Sequence, residues 1–86
     1  MRTGVAWWDE ERIIWYERAA KCCSFHKELS EIILNHIDIS KPVNEIGCGL
    51  GYAAEILYRR GVDISASDRD PMVIKAARER SLLNIF

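Results

Sequence analysis

The chain has little of what usually announces a function by abundance. Its 86 residues carry 12 Lys and Arg against 13 Asp and Glu, a formal net charge of -1. No long-range field exists to gather nucleic acid or anionic lipid, and neither is indicated as a partner. No apolar run approaches the roughly 20 residues that span a bilayer, so no membrane partner is expected. Met1 to Trp8 lacks the charged-then-apolar layout of a secretory leader. Three cysteines, with Cys22 and Cys23 adjacent and Cys48 alone, do not make the paired framework of a small secreted fold. Reduced thiols and a cytoplasmic location are expected. Cys22, Cys23, His26 and His36 can be imagined as a metal cluster, but no second cysteine pair closes the spacing, and helix packing is the plainer reading. No metal is expected. Repeats and low-complexity tracts are also missing.

The composition that remains, 49% hydrophobic and 29% charged, is that of an ordinary globular chain of one domain at most. A chain this short buries only about 60% of its unfolded surface, so its stability is marginal. Residues from Asp9 to about Cys23 suit a helix, with Asp9 as cap and Glu10 and Glu11 at the end that favours negative charge. Ser24 is a candidate N-cap for a second helix, in which Phe25, Leu29, Ile32, Ile33, His36 and Ile37 recur at spacings of three and four. Pro42 interrupts, and Val43-Asn44-Glu45-Ile46 reads as a short strand. Tyr52 to Arg60 recover helical spacing, and Gly61 ends that helix in a left-handed conformation. Val62, Ile64 and Ala66 alternate with Asp63, Ser65 and Ser67, which predicts a second strand. Asp70-Pro71 reads as N-cap and first position of a last helix running toward Leu83. Two strands separated by one helix form a right-handed parallel crossover.

Between the first strand and its helix, Glu45-Ile46-Gly47-Cys48-Gly49-Leu50-Gly51 places a glycine at every second residue. There a backbone can turn sharply, and a ligand can approach closer than a Cβ permits. The dinucleotide fingerprint G-x-G-x-x-G would need its third glycine at Tyr52, which disfavours a nicotinamide or flavin site. Asp68 ends the second strand about 20 residues after Gly47, where an acidic side chain accepts hydrogen bonds from ribose hydroxyls. Glycine loop and carboxylate are expected to face one crevice. Each piece has a duller alternative: a tight turn for the glycines, a solvated charge for Glu45, a turn cap for Asp68. Asp70 is read as structural.

The stretch Asn44 to Gly51 resembles motif I of the class I S-adenosylmethionine-dependent methyltransferases. Gly61 to Asp68, with Arg69-Asp70-Pro71-Met72 and the alanine-rich helix after it, is similar to that family's second strand and second helix. The resemblance covers about residues 43 to 80. It implies an α/β, partial Rossmann-like methyltransferase fold, with two N-terminal helices followed by strand-helix-strand-helix and truncated before the third strand. The 86 residues then form a single partial domain, N-terminal helices over 1–41 and a cofactor-binding part over 42–86.

By the same resemblance Gly47, Gly49 and Gly51 pack against the methionine and ribose parts of S-adenosylmethionine. Asp68 holds its ribose hydroxyls, and Glu45 positions the loop and the cationic methionine end. Trp7, Trp8, Trp15 and Tyr16 are read as core packing, with a lid over the cofactor as the alternative. Lys21, Lys27, Arg59, Arg60, Arg78 and Arg80 are read as solvated helix faces. The implied function is a methyltransferase whose acceptor is unknown and whose catalytic residues cannot be named, because substrate-side residues follow later strands in that family. A complementary chain or a second copy is expected to cover the open sheet edge. The alternatives are a non-enzymatic interaction module of the same ancestry and, less favoured, a nucleotide-binding Rossmann fragment.

Overall fold

Asp9 opens the first helix: its carboxylate accepts a hydrogen bond from the Arg12 N–H at 2.8 Å, and Glu10 and Glu11 fill the first turn. A computed structural model describes residues 8–86; the predicted packing of Trp7 lies outside the described residues. Helix α1 spans Glu10–Cys22 and α2 spans Phe25–Leu34. Ser24 makes no side-chain cap bond, contrary to expectation. Helix α2 also stops before Ile37. The Asp38 carboxylate accepts from both the N–H and the hydroxyl of Ser40, at 3.0 and 2.5 Å, and so offers the chain a local turn in competition with the helix. Ile37 still packs against the core.

Strand β1 (Val43–Ile46) pairs in parallel with β2 (Ile64–Ser67), Val43 opposite Ile64 and Ile46 opposite Ser67. Helix α3 (Tyr52–Arg59) makes the crossover. Val62, predicted as the start of β2, instead donates its N–H to Leu57 O at 3.1 Å and belongs to the exit from α3. Helix α4 spans Pro71–Arg80 and is capped by Asp70, whose carboxylate accepts from the Met72 N–H at 3.0 Å. It ends before Leu83 because Ser81 is extended and its hydroxyl takes the Leu83 N–H at 3.2 Å. The chain then runs beside β2, where Ala66 donates its N–H to Ile85 O at 2.7 Å.

The whole is a small α/β domain of four helices and a two-stranded parallel sheet among the described residues. Alternation sends Ile64 and Ala66 into a core with Ala54, Leu57, Val62 and Ile85, as a period of two requires. A second cluster joins Ile13 of α1, Leu50 of the glycine loop and Val73 of α4. The opposite face of the sheet carries Asn44, Ile46, Ser65 and Ser67, all exposed. In a parallel ladder alternate residues bond each neighbour, so Asn44 and Ile46 turn their backbone groups away from β2. Among the described residues no helix is long and apolar enough to cross a membrane.

Candidate functional site at the glycine loop

The carboxyl ends of β1 and β2 lie side by side, and the turns that leave them are joined by one carboxylate. Asp68 accepts the Gly49 N–H on Oδ2 at 3.0 Å and the Asp70 N–H on Oδ1 at 2.9 Å. Cys48 donates its N–H to Ser67 O at 2.9 Å, extending the ladder into the loop, and Gly51 N–H closes a turn onto Cys48 O at 3.0 Å. The glycine loop and Asp68, far apart in sequence, are therefore held together. Asp68 also acts as the turn cap of the duller reading, since its bond to Asp70 N–H is local. Each carboxylate oxygen accepts one of these two amides and so keeps acceptor capacity for another donor.

The three loop glycines differ in what faces their bare Cα. Gly49 has φ +57, and a Cβ there would lie 3.4 Å from Cζ2 of Trp8. At Gly51, with φ +78, a Cβ would fall 2.2 Å from the Phe86 ring, so this glycine admits a side chain of the protein itself. Gly47 meets nothing within 4 Å.

Glu45 points inward from β1 and is partly buried. Its Oε1 is buried without a hydrogen-bond partner among the described residues, and burial holds the carboxyl above the ordinary glutamate range. Burial first, then the charges of Glu45 and Asp68, push the Cys48 thiol up to about 11. Cys48 is therefore held in its thiol form at neutral pH.

Beside the loop stands an aromatic and basic group that binds the helices together. The Tyr16 hydroxyl and His26 Nε2 are 2.7 Å apart, and Tyr52 stacks on Tyr16 with centroids 6.2 Å apart. Burial, then the charge of Arg80, holds His26 below its ordinary range. Arg80 corrects the reading of a solvated helix face. Its Nε and Nη2 donate to Leu50 O at 3.3 and 2.9 Å, Nη1 pairs with Glu55 at 2.8 Å, and its guanidinium lies 4.1 Å from the Tyr52 ring centroid. Its position was legible, because Val73, Ala77 and Arg80 fall on one stripe of α4 and the first two are buried.

The other predicted basic residues do lie on exposed helix faces, Arg59 pairing with Glu55 and Arg60 with Glu31. Trp8 and Tyr16 pack as expected, whereas Trp15 is 61% exposed. Cys22 and Cys23 are exposed, and His36 Nδ1 is 2.7 Å from Ile32 O. Among the described residues no group of three His, Cys, Asp or Glu is placed to hold a metal ion. A groove of about 530 Å³ runs between α1 and α4, lined by Ile13, Ile14, Met72 and Ala76 among others. Neither the loop glycines nor Glu45 nor Asp68 line it. No protein-family model, curated protein or solved structure matches the chain.

Proposed function

We propose that the chain binds S-adenosylmethionine across the glycine loop and is the cofactor-binding part of a class I methyltransferase with a Rossmann-like fold, acting in the cytoplasm. The observation that carries this reading is the bond from Gly49 N–H to Asp68 Oδ2, which brings the two halves of the motif together outside the carboxyl ends of parallel strands, where ligands of open α/β sheets bind. The residues fit the cofactor. Asp68 keeps acceptor capacity for ribose hydroxyls, and the orphaned Glu45 Oε1 is a charge that an ammonium or sulfonium would satisfy. When bound, the cofactor supplies a methyl group on a cationic sulfur; Glu45, the loop and Asp68 hold and orient it, so that positioning provides much of the rate.

A second reading, a non-enzymatic interaction module, is favoured by one observation. Ile46 is 86% exposed at the outer edge of β1, where a complementary chain or a second copy would pair. A nucleotide-binding fragment is weaker, since Tyr52 stands where the dinucleotide fingerprint needs glycine.

Isothermal titration of the folded chain with S-adenosylmethionine, with NAD as comparator, tests the reading. Saturable binding is expected for S-adenosylmethionine alone, and Asp68→Ala is expected to lose about 1.5–3 kcal/mol of it, the scale of hydrogen bonds to a charged acceptor. A folded chain that gives no binding heat, or a folded variant with unchanged affinity, refutes it.

A further inference from the structure

We propose that Trp8 is a built-in cap on the glycine loop, so that the free chain occupies its own ligand face and must release Trp8 to load. The proposal rests on the cofactor reading above and adds to it a competition inside the chain. The direction in which Gly49 lacks a Cβ is the direction from which a ligand approaches such a loop. In this chain the atom nearest to the position of that missing Cβ is Cζ2 of Trp8, 3.4 Å away. Indole and ligand cannot both use that space.

The cap is held at several points. The indole packs with Ile13, Leu50 and Val73 and meets the Tyr16 ring edge-on, centroids 5.5 Å apart. The Trp8 backbone N–H donates to Asp70 Oδ2 at 3.4 Å. Asp70 caps α4 directly after the turn that carries Asp68, so Trp8 meets both the glycine loop, at Leu50, and that turn. Trp8 precedes Asp9, the N-cap of α1, whose carbonyl accepts the Ile13 N–H at 3.0 Å, so releasing the indole breaks side-chain packing and leaves that helix bond in place.

A cap occupied ten to one lowers apparent affinity about tenfold, because only the open fraction binds. Titration of Trp8→Ala with S-adenosylmethionine is therefore expected to give a dissociation constant about tenfold below that of the parent chain. In a chain carrying Trp7→Phe and Trp15→Phe, emission from Trp8 is expected to shift to the red at saturation as the indole leaves its packing. If the parent binds and the folded Trp8→Ala variant binds no more tightly, the cap is overturned and the cofactor reading survives. If neither folded chain binds, both fall. Should Trp8→Ala fail to fold, Trp8 emission that stays in place at saturation overturns the cap.

Discussion

Replacing Gly51 with alanine is expected to destabilise the domain through two separable effects. The first is backbone strain: Gly51 sits at φ +78, and an L-residue in the left-handed region costs roughly 1–2 kcal/mol. The second is collision. The new Cβ would lie 2.2 Å from Cε1 and 2.3 Å from Cζ of Phe86, far inside contact distance. The ring belongs to a segment that is itself pinned, since Ile85 O accepts from Ala66 N–H and Ile85 is buried in the core. Overpacking of this kind costs about 1–3 kcal/mol, so the sum is about 2–5 kcal/mol, most of the stability of a domain holding on the order of 5 kcal/mol.

Gly61→Ala is the control. Gly61 has φ +91 but nothing within 4 Å of its Cβ position, so only the strain of roughly 1–2 kcal/mol applies. Urea unfolding followed by far-UV circular dichroism gives each value, and a double-mutant cycle with Phe86→Ala isolates the collision. Truncating Phe86 should harm the parent chain but relieve the Gly51→Ala variant. Equal losses for Gly51→Ala and Gly61→Ala, or a cycle with no coupling, would refute the contact.

Two more tests concern the groups around the loop. Because burial holds the Glu45 carboxyl above its ordinary range, the folded chain keeps a proton that the unfolded chain releases. Stability should therefore fall as pH rises from the ordinary glutamate range through the raised value, and Glu45→Gln should flatten that slope; urea titrations across the acid range check it, and an identical slope in the variant would rule it out. Arg80→Lys should cost about 1.5–3 kcal/mol, because a lysine cannot reproduce the paired donation to Leu50 O and the stacking on Tyr52. A midpoint in urea indistinguishable from that of the parent would show that the clamp carries no stability.

What the sequence conveyed was local. The caps Asp9 and Asp70 announced themselves because each satisfies an amide two or three residues away, and the alternation of Ile64, Ser65, Ala66 and Ser67 named the buried face of β2 directly. Even the meeting of glycine loop and Asp68 was legible, since a parallel crossover forces consecutive strand ends together. The ends of α2 and α4 were not, because these helices stop where Asp38, Ser40 and Ser81 form competing turns, and such competition leaves no mark on apolar spacing.

The glycines show the deeper limit. In sequence Gly47, Gly49 and Gly51 are three equal members of one motif, and a family resemblance assigns all three to a ligand. In space they are unequal: Gly47 faces nothing within 4 Å, Gly49 faces Trp8 and Gly51 receives Phe86. Absence of a Cβ records only that something must come close, and whether that something is a ligand or a distant part of the chain is decided by residues dozens of positions away. Under the proposed function, cofactor binding would depend on the clearance over Gly47 and, were Trp8 to move, over Gly49, while the clearance at Gly51 is already used in packing Phe86.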